Sequence, residues 1–172
     1  ICEALSEYDR NPSVIVSPDW KDEIQNTLSE YEIDAELINQ LKPLGMGDAV
    51  LQYENSEFYK DAEHILLIWG DIPFIQKETI EKMIKTHLTG NNTFTFPTRE
   101  SNSAYTFVSR DDSGDVQDLV ETRELGIQKP QPGERDIGLF IFKKHPIFDI
   151  LKEDLPNRIG KYTNEHSFLY LV

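Results

Sequence analysis

The sequence predicts an α/β fold: a Rossmann-like, mostly parallel (mixed) sheet flanked by helices, with a β-rich insertion. Three observations lead there. Short apolar runs alternate with stretches of helical periodicity through the first half of the chain. His64-Ile65-Leu66-Leu67-Ile68-Trp69 is almost continuously apolar, which fits a strand covered on both faces, as in a parallel sheet. From about residue 93 onward, strand-like runs follow one another with turn residues between them.

Residues 1–8 read as the last turns of a helix ending before Pro12, and Ser13-Val14-Ile15-Val16 as a short strand. Ser17-Pro18 opens a helix, with Ser17 as cap, that carries Trp20, Ile24, Leu28 and Tyr31 on one face. Gly45-Met46-Gly47 is a tight turn opening a helix that runs to about residue 60. The apolar strand ends at Gly70-Asp71-Ile72-Pro73, and a helix over about 77–88 follows, with Ile80, Met83, Ile84 and Leu88 on one face. Thr93 to Phe96 is a strand, and Tyr105–Ser109 with Val116–Val120 forms a hairpin about Asp111-Asp112-Ser113-Gly114-Asp115. Gln128 to Arg135 reads as an exposed loop, Ile137 to Phe142 as a strand, and His145-Pro146 as a helix start.

Composition narrows the function classes. Lys and Arg number 17 against 31 Asp and Glu, a net charge of −14. Such a chain lacks the basic face that neutralises nucleic-acid phosphates or docks on anionic lipid. No apolar run nears the roughly 20 residues of a membrane helix. The 2 Trp, 7 Tyr and 9 Phe are enough to build a core. The single cysteine, Cys2, forms no internal disulfide, so a cytoplasmic location is expected.

Asp71 follows a strand at the place where open α/β sheets bind ligands, and a carboxylate there suits Mg²⁺. The competing reading is a turn cap. Gly45 and Gly47 allow close backbone approach of a ligand; Asp48 argues against a phosphate and for a flat base. The competing reading is an ordinary loop-to-helix turn. Asp111 to Glu121 does not form a calcium loop, because the end positions fall on Ser109 and Val120. The four histidines have no zinc-like spacing.

Taken in order, four blocks resemble the sugar-nucleotide pyrophosphorylases of the nucleotidyltransferase superfamily. Gln40 to Gln52 is similar to their Gln-rich Gly-Thr-Gly-His-Ala segment. Leu66 to Ile75 resembles their strand and Gly-Asp-x-Pro-Leu turn. Asp115 to Glu121 resembles the strand ending Ile-Val-Glu, and Glu134 to Phe142 resembles Glu-Ile-Asn-Thr-Gly with its strand. The nearest likeness is to the uridyltransferase domain of N-acetylglucosamine-1-phosphate uridyltransferase, over about residues 14–151. The resemblance implies transfer of a nucleotidyl group from a nucleoside triphosphate, UTP first among them, to a sugar 1-phosphate, with release of pyrophosphate and with Mg²⁺ as cofactor. It puts Gln40, Gly45 and Met46 at the base, Thr106, Glu121 and Asp136 at the sugar, and Asp71 on the metal.

Departures from the family pattern accompany the match. Met46 stands at the usual threonine, Asp136 at the asparagine, and Ala104-Tyr105-Thr106-Phe107 at Gly-Tyr-Gly-Arg. The chain reads as one domain over residues 1–172 without the family's N-terminal Gly-rich strand and loop and without its C-terminal end, where the second metal ligand lies. An alternative reading is therefore a catalytically degenerate relative that binds a nucleotide or sugar nucleotide.

Overall fold

A computed structural model describes residues 1–127, 129, 131–153 and 159–169. Helix α1 (Cys2–Leu5) leads to strand β1 (Ser13–Val16), a 3-10 turn at Pro18–Trp20, helix α2 (Lys21–Glu30) and strand β2 (Glu36–Asn39). Then come α3 (Met46–Gln52), β3 (His64–Ile68), α4 (Lys77–Thr89), β4 (Phe94–Thr95), β5 (Thr98–Ala104), β6 (Thr106–Arg110), β7 (Val116–Glu121), β8 (Gln131–Asp136), β9 (Leu139–Lys143) and α5 (Lys144–Glu153).

The pairing is mixed. β1 and β2 are parallel, with Val14 opposite Leu37 and Ile15 opposite Ile38. The central sheet runs β3-β9-β4, and both of its pairings are antiparallel. β5 pairs with β8 and β6 with β7, again antiparallel. The expectation of a mostly parallel sheet thus holds only for β1 and β2 among the described strands.

The apolar run of β3 is nonetheless covered on both faces, for a reason that period-2 geometry supplies. Ile65 and Leu67 lie against a cluster built from Phe140, Phe142, Val50, Phe148 and Phe168; Leu66 and Ile68 lie against Leu139, Ile141 and Met83. In β9, Leu139 to Phe142 are all buried, alternating between the two clusters. α4 covers one face through Ile80, Met83 and His87, at helical spacing. α3 and α5 cover the other, with Val50, Ile147, Phe148 and Leu151. Phe94 stacks on Phe142 with centroids 5.9 Å apart.

Several expectations are corrected. The helix from Gly45 ends at Gln52 and continues only as a 3-10 turn to Asn55. Ser17 caps a 3-10 turn with no side-chain hydrogen bond, and Trp20 and Tyr31 are exposed at 59% and 69%, so the apolar face drawn for α2 reduces to Leu28 and Ile24. Most of the loop expected over residues 128–135 is strand β8; its Gln128 and Pro130 lie outside the described residues, as does Val172. β8 pairs with β5, whose sequence Thr-Arg-Glu-Ser-Asn-Ser-Ala carries no apolar alternation. A cross-strand charge cluster replaces it: the Arg110 guanidinium donates to both oxygens of Glu134, at 2.8 and 2.6 Å, and Thr98 donates to the same carboxylate.

Candidate active site

The C-terminal end of β3, the corner between β5 and β6, the end of β7 and the segment 163–167 converge on a cavity of about 410 Å³. β3 delivers Trp69, Gly70 and Asp71; the β5–β6 corner delivers Tyr105; β7 and the 3-10 turn at Thr122–Leu125 deliver Glu121 to Glu124. Met46 at the start of α3 and Thr163, Glu165, His166 and Ser167 complete the wall.

The wall is held from behind. The Trp69 indole N–H donates to Met46 Sδ at 2.7 Å, and its ring packs on Tyr105 and Phe140. Gly138 has φ +72°, and a Cβ there would sit 2.9 Å from the Trp69 ring, so this position needs a glycine on both counts. The Arg135 guanidinium lies over the Tyr105 ring, 3.9 Å from its centroid. Burial, and then the Asp136 charge, push the Tyr105 phenol up to about 12, so it stays protonated.

The charge in the cavity is lopsided. Asp71, Glu121, Glu124 and Glu165 are on its wall, and Arg123 is the one Lys or Arg among the described lining residues. Arg123 donates to Glu121 Oε2 through Nε (3.1 Å) and Nη2 (2.7 Å), and Nη2 lies 3.6 Å from Glu165. The Glu121 hydrogen bond raises the guanidinium further, so Arg123 is a permanent cation.

Of the residues singled out from the sequence, Met46, Asp71 and Glu121 line this cavity. Gln40 does not. Its amide donates to Gly45 O (3.0 Å) and Asp48 Oδ2 (2.8 Å), holding the glycine turn in shape. Gly45 has φ +105°, and a Cβ there would meet the His166 backbone N and O at 2.7 Å. The Gly47 N–H donates to His166 O (2.9 Å), so the residue 166 backbone covers this turn. Thr106 and Asp136 are fully buried behind the wall. The Thr106 hydroxyl donates to Asp136 Oδ2 at 2.6 Å, and Asp136 Oδ1 accepts the Gly138 N–H at 2.7 Å.

Sequence reasoning missed Trp69, Tyr105, Arg123 and the 163–167 segment as wall residues. An arginine two residues beyond the glutamate ending β7 was the available signal. Nothing in the polar run Gly160 to Ser167 announces its place.

Residues 3–167 match the nucleotidyl transferase family. The chain belongs to that family. It is 30% identical over 161 residues to the bifunctional protein GlmU of Pseudothermotoga lettingae, covering 92% of this chain and 34% of that one. It is 31% identical over 153 residues to the GlmU of Prochlorococcus marinus, covering 87% and 32%. The chain therefore spans about a third of the length of these curated relatives. Among solved structures, a putative glucose-1-phosphate thymidylyltransferase from Bacillus anthracis superposes with a TM-score of 0.72 at 14% identity, over 92% of this chain and 62% of that one. UDP-glucose pyrophosphorylase in complex with UDP-glucose superposes with a TM-score of 0.66 at 17% identity, over 98% and 70%. The fold of this nucleotidyltransferase chain is thus that of the sugar-nucleotide pyrophosphorylases. Among the described residues no helix is long and apolar enough to cross a membrane.

Proposed function

We propose that this nucleotidyltransferase domain moves a nucleotidyl group from a nucleoside triphosphate, with UTP the first candidate, to a sugar 1-phosphate. A phosphate oxygen of the sugar 1-phosphate bonds to the α-phosphorus. The bond from that phosphorus to the β-bridging oxygen breaks, and pyrophosphate leaves. The observation that carries the reading is the convergence of Asp71, Glu121, Arg123 and Met46 on one cavity in a chain of this family.

Each of those residues has a role that its chemistry supports. Arg123 offers a planar fork of donors to phosphate oxygens. Glu121 accepts hydrogen bonds from sugar hydroxyls. Met46 and the Trp69 face give the base an apolar neighbour in place of a hydroxyl. Little covalent work falls to the protein; holding the reactants in line is its contribution. Among the described residues no three His, Cys, Asp or Glu converge as a metal cage. Mg²⁺ is commonly held by one or two carboxylates plus substrate phosphates. Asp71 is the residue that would hold it, and when bound it supplies charge neutralisation at the phosphates. We read residues 1–172 as a single nucleotidyltransferase-like domain working in the cytoplasm.

One observation favours a second reading. Thr106 and Asp136, placed at the sugar by resemblance, are committed to each other behind the wall. A relative that binds a sugar nucleotide without turnover would tolerate this. Pyrophosphate release by the whole protein, from a panel of nucleoside triphosphates and sugar 1-phosphates with Mg²⁺, separates the two. Release with at least one pair supports transfer. Silence across the panel, with UDP-sugar binding retained, supports the second reading.

A further inference from the structure

The Glu124 side chain sits on the cavity wall, yet its carboxylate points into backbone. Glu124 Oε2 accepts the Tyr162 N–H (3.1 Å) and Oε1 accepts the Thr163 N–H (3.0 Å). A Cβ on Gly160 would run into Glu124 Oε1 and Thr163 Oγ1. Successive N–H groups aimed at one point form a nest, a concavity that takes an anion. Here the anion is a side chain of the same molecule.

The nest belongs to a closed hairpin. Gly160 N–H donates to Glu165 O (2.8 Å), Asn164 N–H donates to Gly160 O (2.9 Å), and Ile159 bridges His166. From the hairpin the contacts run onward: the His166 N–H donates to Leu44 O (2.6 Å) and His166 O accepts the Gly47 N–H (2.9 Å). The same hairpin carries Glu165 toward Arg123. One carboxylate thus ties the turn that bears Arg123 to the segment that covers the glycine turn before Met46.

We infer that Glu124 is a positioning residue. By filling the nest of the 160–165 hairpin it fixes the spacing between Arg123, Glu165 and Met46 around the cavity. The consequence for catalysis rests on the proposed nucleotidyl transfer; the spacing does not. Burial alone would push the Glu124 carboxyl up, but the Thr163 hydroxyl and the N–H groups of Tyr162, Thr163 and Lys161 outweigh it and hold it below its ordinary value. It is ionised at neutral pH, as a nest requires.

The test is amide hydrogen exchange on the whole protein carrying Glu124→Gln, which keeps the size but turns a donor toward the N–H groups. The amides of Tyr162 and Thr163 should exchange about tenfold faster or more, because hydrogen bonds to charged acceptors are the stronger kind. Those of His166 and Gly47 should follow, while Leu67 and Phe142 in the central sheet stay unchanged. Gly160→Ala expels the carboxylate without removing it and should reproduce the pattern, with little added by combining the two. Unchanged exchange at 162 and 163 overturns the nest. Acceleration confined to 162 and 163 overturns the coupling to the glycine turn. In the pyrophosphate assay the KM for the nucleoside triphosphate should rise about tenfold, with kcat within about threefold of wild type. Exchange changed with both constants unmoved overturns the positioning role. If wild type releases no pyrophosphate, the proposed function falls and exchange alone decides whether Glu124 fills the nest and couples it to the glycine turn.

Discussion

Gly138→Ala should damage both stability and the cavity wall, and its cost can be worked from the structure. The backbone there has φ +72°, a conformation that costs an L-residue with a Cβ about 1–2 kcal/mol. The new Cβ would lie 2.9 Å from Trp69 Cδ2 and Cε3. Trp69 has little room to retreat, because Met46 Sδ holds its N–H and Tyr105 and Phe140 pack on its ring. Overpacking of this kind costs about 1–3 kcal/mol. The combined loss is about 2–5 kcal/mol, and for a chain of this size a melting temperature lower by roughly 4–20 °C. Calorimetry measures the shift. Trp69 emission, recorded in a Trp20→Phe background because Trp20 is 59% exposed, reports whether the ring moved. Gly138→Asn should fall between the two, since asparagine tolerates positive φ but still brings the Cβ. A Gly138→Ala protein melting within about 1 °C of its parent, with unchanged emission, refutes the claim that this glycine pins the wall.

Three further substitutions test a buried and a part-exposed carboxylate. Asp136→Ala strands the Thr106 hydroxyl and the Gly138 N–H in the interior and should cost about 2–5 kcal/mol. Asp136→Asn, which still accepts from Gly138 while Thr106 rotates to accept, should stay within about 1 kcal/mol of wild type; equal losses in urea melts would contradict this account. Arg110 hydrogen bonds hold the Glu134 carboxyl at about 2, below its ordinary 4.5. A depressed folded-state value stabilises above the ordinary value and loses that contribution as pH falls toward about 2. Arg110→Gln should therefore cost up to about 1 kcal/mol near neutrality, the pair being part-exposed, and the gap to wild type should narrow in melts at about pH 3 and close only toward about pH 2; a gap that widens in acid has the wrong sign.

Legibility of the sequence followed the source of each element's stability. β3 and β9 were legible because they sit between two apolar clusters, and burial on both faces demands a continuous apolar run. Their antiparallel pairing was not, because a doubly covered strand reads the same whichever way its neighbour runs. β5 and β8 left no hydrophobic trace; Thr98 of β5 and Arg110 of β6 both reach Glu134 of β8, contacts between strands far apart in sequence that a linear pattern does not carry. Asp71 was legible because it ends a legible strand. Arg123 and Glu165 meet where a distant hairpin folds back onto the Thr122–Leu125 turn, Tyr162 lying 38 positions after the Glu124 that accepts its N–H, and a linear pattern does not show that return. Gln40 and Asp136 were picked out as ligand-facing, yet their side chains are taken up within the protein, by Gly45 and Asp48 and by Thr106 and Gly138.

The chain's −14 charge takes on a local form in the cavity, where, among the described residues, four carboxylates share the wall with one guanidinium. Two unit charges about 4 Å apart near a protein surface interact by about 4 kcal/mol. A triphosphate entering without a cation would therefore meet a penalty that Arg123, already shared between Glu121 and Glu165, offsets only in part. This fixes the sign of an unusual prediction. Asp71→Asn removes one negative charge and keeps the shape. With a chelator present it should tighten UTP binding, because a repulsion has been removed. With Mg²⁺ present it should weaken UTP binding, because the carboxylate that would hold the ion is gone. Titration calorimetry of the whole protein under both conditions reads the two signs. Equal weakening in both would mean that Asp71 acts as a structural turn residue and that the cation is held elsewhere. Opposite signs require a carboxylate whose charge is unfavourable to the nucleotide alone and favourable to the nucleotide with its metal.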